Sequence, residues 1–222
     1  MMWTDRTELL LGKEKLEKLK KSFVTVIGLG GVGGTTAIML ARCGVEKLRL
    51  VDFDKVDETN INRQVVANTK TVGKYKTDVI RDMILDINPN CKIEAINAKL
   101  TSDNISKLIS KDTFVVDAID SVKDKVELCD YCYKNEIPII SAMGAGNRFD
   151  LPNFKVLDIY KTSNDGLAKV MRKLLRERGV KKLDVVACSS EADKKMPVGS
   201  IAYYPAMCGS MLCAYVVNEI IK

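Results

Sequence analysis

Short apolar runs alternate along the chain with longer stretches whose apolar residues recur at helical spacing. Residues 23–27, 46–51, 92–96, 114–116 and 137–141 read as buried strands, and 13–21, 32–43, 72–87, 102–109 and 123–134 as helices. In the first of these helices Leu16 and Leu19 face inward. Gly44 closes the second as a C-terminal cap, and Asn88-Pro89 stops the third. Strands separated by helices predict an α/β fold: a doubly wound, mostly parallel sheet with helices on both faces. After Gly146 the pattern continues with strands at 154–159 and 183–188, a helix at 166–178 between them and a closing apolar helix at 204–221. The polar stretch 191–198, which contains Pro197, reads as a flexible crossover. This back half extends the same sheet, so 1–222 is read as one domain.

The first strand runs into "VIGLGGVGG". A strand, Gly28-x-Gly30-x-x-Gly33, a helix and a second strand ending in Asp52 form a nucleotide-binding unit. The glycines allow a tight turn, the helix N-terminus offers free N–H groups to phosphate, and an acid about 20 residues on suits ribose hydroxyls. NAD and ATP satisfy that unit equally. Downstream, "VDFDKVDETNINRQVV" places Asp54, Asn60, Arg63 and Gln64 past the second strand, and Lys76 follows in "TVGKYK". Two cations at one crevice suit a triphosphate better than a hydride carrier, because they neutralise charge on the transferred phosphates. "VVDAIDS" brings Asp117, Asp120 and Ser121 to the carboxyl edge of the sheet, and Asp120 suits Mg²⁺, which takes carboxylate with phosphate oxygens. Read singly, Arg63 and Lys76 are surface charges and Asp120 is a helix N-cap.

Composition narrows the chemistry. The chain has no histidine, which removes Ser-His-Asp and Cys-His catalysis and histidine-ligated zinc. Hydrophobic residues make up 46% of 222, enough for a sizeable core, and seven cysteines fit reduced, buried thiols. The longest apolar stretch, 211–217, is too short to cross a bilayer, and without a signal-peptide pattern a cytoplasmic location is expected. The net charge of +6 permits a polyanionic partner.

In this order, Gly-x-Gly-Gly-x-Gly, Asp-x-Asp, Asn-x-Asn-Arg-Gln, Val-Gly-x-x-Lys and Asp-x-x-Asp-Ser resemble the ubiquitin-activating-enzyme-like superfamily of MoeB, ThiF and HesA. The segments "DAIDSVKDK", "NEIPIISAMGAG", "DIYKTSNDGLAKVMRKLLRERG" and "GSIAYYPAMCG" are most similar to its tRNA threonylcarbamoyladenosine dehydratase branch. The resemblance implies a Rossmann-like, ThiF-type ATP-binding domain, its nucleotide-binding half about 1–146 and its substrate and dimer half about 147–222. It implies ATP-dependent activation of a carboxylate on tRNA, followed by ring closure with loss of water. Gly28, Gly30, Gly31, Gly33, Asp52, Asp54, Asn60, Arg63, Gln64, Lys76, Asp120 and Ser121 then bind the nucleotide. Arg6, Arg63 and Lys76 hold phosphate, with Arg6 reaching across a homodimer, Asp120 takes Mg²⁺, and Gly31 lets backbone approach the nucleotide. A cysteine-desulfurase or sulfur-acceptor system is an implied partner. The family's zinc is not expected, since Cys129-x-x-Cys132 lies inside a predicted helix and Cys208 and Cys213 are wrongly spaced to complete it.

Two candidates lie in the back half. Between Lys169 and Lys182 the only acid is Glu177; Leu167, Val170, Met171, Leu174 and Leu175 are expected inward, leaving Lys169, Arg172, Lys173 and Arg176 outward. Arg172, Lys173 and Arg176 are therefore candidates for tRNA phosphate, against an ordinary solvated face. Cys188 in "VVACSSE" is either a reactive cysteine or a core one. Three other readings stay open: adenylation of a ubiquitin-like sulfur carrier, an NAD-binding oxidoreductase, and a silent scaffold in a sulfur relay.

Overall fold

The computed structural model describes residues 2–193 and 195–222. The chain runs α1 (Asp5–Leu11), α2 (Lys13–Lys21), β1 (Phe23–Ile27), α3 (Gly31–Cys43), β2 (Lys47–Val51), α4 (Lys76–Ile87), β3 (Lys92–Ile96) and α5 (Ile105–Leu108). It continues through β4 (Phe114–Asp117), α6 (Val122–Lys134), β5 (Ile139–Ala142), β6 (Phe154–Asp158), α7 (Gly166–Glu177), β7 (Asp184–Cys188) and α8 (Tyr203–Ile220). One seven-stranded sheet results, in the order β3-β2-β1-β4-β5-β7-β6, parallel except for β6 against β7.

Alternation along the strands splits the core in two. Val24, Val26, Val116, Ile140 and Val186 point to the face covered by α2, α3, α4 and α8. Ile27, Val115, Val185 and Ala187 point to the other, covered by α5, α6 and α7. The chain reverses its winding at β1, so β1 and β4 part their connections to opposite sides and leave a crevice beyond their carboxyl ends. The helix α8 closes the structure by lying along α3. A Cβ on Gly209 would stand 2.5 Å from the Val32 carbonyl, so only glycine permits this approach.

Several boundaries differ from the sequence expectation. The helix expected at 72–87 begins only at Lys76, because Gly73 has φ +84° and residues 72–75 turn back, with Lys55 and Tyr75 forming an isolated bridge. The helix expected at 102–109 shrinks to α5, and α1 appears where no helix was expected. In the expected crossover 191–198, position 194 lies outside the described residues; the rest is irregular and held by Asn147, which accepts from Gly199 N and donates to the Lys195 carbonyl.

Gly33 sits where the turn meets α3, and a Cβ there would lie 1.8 Å from the Gly28 carbonyl oxygen. Nothing comes closer than 3.8 Å to the same position on Gly30. Gly33→Ala is therefore expected to cost on the order of 3 kcal/mol or more, and Gly30→Ala far less. Thermal melts of the two variants check this; equal melting temperatures would contradict the geometry.

Candidate nucleotide-binding site

The glycine turn closes on backbone from both sides. Gly28 adopts φ +84°, and a Cβ there would lie 2.7 Å from the Ala118 carbonyl oxygen. The turn is thus wedged between β1 and the segment leaving β4. Gly30 is the extended residue before α3, whose N-terminus has no side-chain cap and leaves its N–H groups free toward the crevice. At Gly31 the Cβ position is filled by protein, the Arg63 carbonyl and Pro205 Cβ both at 3.0 Å. Glycine is required there so that α8 and the Arg63 loop can seal the turn.

Asp52, expected to face ribose, stands at the end of β2 with both oxygens engaged. Oδ2 accepts from Leu29 N at 2.6 Å and Oδ1 from Asp54 N at 2.7 Å. Burial raises its pKa, opposed by those two amides and by the charge of Lys76. The carboxylate thereby fixes the glycine turn to β2, with a lone pair on each oxygen still available.

The two expected cations differ in kind. Lys76, the first residue of α4, is buried and its Nζ lies 2.8 Å from Asp54 Oδ2. Arg63 is half-exposed, its guanidinium bonded only to the Thr59 carbonyl and Asn62 Oδ1; among the described residues it makes no ion pair. Asn60, expected to contact nucleotide, accepts through Oδ1 from Asp57 N in a reciprocal capping box around the turn Glu58–Asn60, and its Nδ2 makes no hydrogen bond among the described residues. That commitment shapes the loop carrying Arg63. Gln64 is buried against Gly30, and its Oε1 has no partner among the described residues, leaving an acceptor that a ligand hydroxyl or amine would satisfy.

Asp117 and Asp120 separate. Asp117, expected among the ligand groups at the sheet edge, is fully buried: it pairs with Lys125 Nζ at 2.8 Å, accepts from Ser141 Oγ at 2.6 Å and holds Ile119 N at 3.1 Å. It anchors the segment that carries Ala118 against the turn. Asp120 is exposed and makes no hydrogen bond or ion pair among the described residues; the N-cap of α6 is Ser121, so the N-cap reading of Asp120 is set aside. A free carboxylate beside a phosphate-binding turn fits Mg²⁺. Cys129 and Cys132, buried in α6, have Cys129 Sγ 3.6 Å from Asp117 Oδ2.

In the back half Cys188 ends β7 and is 1% exposed, with Sγ 3.0 Å from Ser190 Oγ and 3.3 Å from Tyr204 Oη. Burial pushes its pKa up, but these partners and the Ser190 and Asn153 amides outweigh burial and lower it. Tyr204 Oη also donates to Asp150 Oδ1 at 2.8 Å. The thiol is enclosed, and its contacts support the start of α8, where Pro205 packs on Gly31. On α7 Arg172 is not outward as expected. It folds back onto the Thr162 carbonyl and hydroxyl, while Lys173 and Arg176 are exposed, and Val170, expected inward, is exposed too. Arg6 on α1 is exposed. A cleft of about 460 Å³ between α6 and α7, lined by Val122, Lys123, Val126, Leu174, Glu177 and Arg178, uses none of the nucleotide-site residues.

The sequence reading missed Lys125, Ser141 and Pro205. Lys125 had a signal: it stands on the face of α6 shared with Val122, Val126, Leu128 and Cys129, where a lysine demands a buried partner.

A doubly wound sheet whose glycine turn lies at the carboxyl ends of β1 and β4, where the winding reverses, defines a nucleotide-binding α/β protein. Residues 4–222 match the ThiF family, and the chain belongs to it. It is 40% identical over 238 residues to the tRNA threonylcarbamoyladenosine dehydratase of Bacillus subtilis, covering 98% of this chain and 94% of that protein. The fold superposes on the crystal structure of E. coli tRNA N6-threonylcarbamoyladenosine dehydratase in complex with AMP with a TM-score of 0.93, at 32% identity over 98% of this chain and 93% of that one. The molybdopterin-synthase adenylyltransferase of Salmonella typhimurium is 39% identical over 62% of this chain and 54% of its own length.

Lys125→Met strands the Asp117 charge in the core and should cost about 3–5 kcal/mol. Urea unfolding measures it, and a loss below about 1 kcal/mol would contradict the anchoring role. ATP with Mg²⁺ is expected to raise the melting temperature and NAD⁺ to leave it unchanged; the reverse result would reopen the oxidoreductase reading.

Proposed function

We propose that this protein is an ATP-dependent dehydratase that cyclises the threonylcarbamoyl group on a tRNA adenosine. The observation that carries this reading is a set of groups around the glycine turn: the uncapped N-terminus of α3, Lys76 held at Asp54, and Arg63 and Asp120, which make no ion pair among the described residues. The extent of the match to dehydratases, nearly end to end in both chains, supports the substrate.

ATP, when bound, supplies a phosphoanhydride whose cleavage turns a carboxylate oxygen of the substrate into a leaving group. The residues of the chain do the rest by position and charge. Gly28 to Gly33 and the start of α3 cradle phosphate, and Arg63 and Lys76 offset the charge that develops there. Asp52 and Gln64 would take hydroxyl or amine donors of the nucleoside, Asp120 would hold Mg²⁺, which would offset phosphate charge, and Asp54 orients Lys76. No side chain need act as nucleophile, because a nitrogen or oxygen of the same modification closes the ring, which suits a protein without histidine.

The homodimer belongs to the same proposal. On α1 Leu9 and Leu10 are 80% and 83% exposed, beside exposed Trp3 and Arg6. A second copy covering this apolar helix would bring Arg6 to the other subunit's phosphates. Lys173 and Arg176 would meet tRNA phosphate, and such a substrate places the reaction in the cytoplasm.

Incubation with ATP, Mg²⁺ and threonylcarbamoylated tRNA, followed by mass spectrometry of the nucleosides, should show the modified adenosine lighter by one water. Unchanged tRNA, with pyrophosphate exchange into ATP on adding a ubiquitin-like carrier, would favour the adenylyltransferase reading. Mixing Arg6→Ala with Lys76→Ala subunits should recover activity at one composite site per mixed dimer, whereas no recovery would place Arg6 outside the partner's site. Lys173→Glu with Arg176→Glu should weaken tRNA binding and flatten its salt dependence by roughly one unit of log–log slope per phosphate contact. Unaltered binding would mark that face as merely solvated.

A further inference from the structure

Cys43, the last residue of α3, and Cys213, in α8, are 170 positions apart in sequence, yet their sulfurs lie 4.0 Å apart. The two helices run side by side. Pro205 meets Gly31 at their N-terminal ends, Gly209 meets Val32 and Thr36 further along, and the two cysteines meet at the end of α3. Nothing in the nucleotide site uses this pair.

We propose that Cys43 and Cys213 are a redox site, a dithiol that hydrogen peroxide oxidises to a disulfide tying α3 to α8. Cys43 is the half-buried member and the one a small oxidant can reach; Cys213 is buried behind it. The Cys213 hydrogen bond draws the Cys43 pKa down to about 7 against burial. The stabilising donor is the partner thiol, since the end of α3 at Cys43 favours a cation over a thiolate. The other five cysteines are buried: burial pushes the thiols of Cys91 up to about 11 and of Cys132 and Cys208 up to about 12, and Cys188, whose pKa is lowered, is closed off at 1% exposure. Oxidation is thereby directed to one pair.

The chemistry balances with the peroxide as the named oxidant. The Cys43 thiolate attacks a peroxide oxygen, the O–O bond breaks, and the departing hydroxide takes up the proton that Cys43 has lost, leaving a sulfenic acid. The Cys213 sulfur then attacks the Cys43 sulfur, the S–O bond breaks, and hydroxide leaves with the Cys213 proton as water. Two thiols lose two electrons, and one peroxide becomes two waters. The disulfide pins the C-terminal end of α3 to the middle of α8, two helices whose N-terminal ends seal the glycine turn, and it closes a very long loop in the unfolded chain.

The test is hydrogen peroxide added to the reduced full-length protein, followed by alkylation and non-reducing peptide mapping. The expected result is a cross-linked Cys43–Cys213 peptide, a mass lower by two hydrogens, a higher melting temperature, and reversal of all three by dithiothreitol. Cys43→Ser should keep Cys213 fully alkylatable under the same dose. Cys213→Ser should leave Cys43 as a sulfenic acid that dimedone traps. Cys43 and Cys213 both still alkylatable in the wild type, or Cys43 driven to sulfinic acid with Cys213 reduced, would overturn the proposal without bearing on the dehydratase reading.

Discussion

The glycine turn is held by contact with the segment leaving β4, and the rest of the site depends on that contact. The Ala118 carbonyl and methyl occupy the space that side chains on Gly28 and Gly33 would need. Ala118 is itself fixed by Asp117, whose carboxylate is spent inside the protein on Lys125, Ser141 and the Ile119 amide. A buried ion pair contributes little net stability because desolvation offsets its attraction. Its effect here is placement: it sets the height of the loop bearing Asp120 against the turn, with further help from Asp52 bridging Leu29 and Asp54.

Around this frame the charged groups fall into those already committed and those left open. Asp117, Asp54 and Lys76 are partnered within the chain, whereas Arg63 and Asp120 form no ion pair among the described residues. Polyanion chemistry needs this division. Partnered groups hold their geometry without a ligand, and open ones gain most from phosphate and metal. On the opposite flank α8 completes the turn through Pro205, with the Tyr204, Ser190, Cys188 and Asp150 network fixing where that helix starts.

The unit from β1 to β2 was legible in the sequence because its signals are local: an apolar run, three spaced glycines and an acid at the next strand end. The antiparallel run of β6 was not, since its pairing with β7 is decided by a crossover through α7 that leaves no short-range mark. Site residues followed the same division. Asp52 bonds the glycine turn through Leu29 N, Lys76 pairs with Asp54, and the Arg63 carbonyl packs on Gly31. Asp117 turned inward because it met an internal partner, Lys125, that spacing alone does not reveal. Arg172 sits at an outward helical position, but Thr162 beside it offers two oxygens and draws the guanidinium back.

The central claim is that the crevice activates a carboxylate, so that the oxygen lost as water leaves on phosphorus. The most direct measurement uses tRNA whose threonylcarbamoyl carboxylate carries heavy oxygen, in a single turnover with ATP and Mg²⁺. The account predicts one heavy oxygen in the AMP or in the inorganic phosphate produced, matched by its loss from the cyclised nucleoside. Ring closure with unlabelled phosphorus products and the heavy oxygen released to solvent would contradict it.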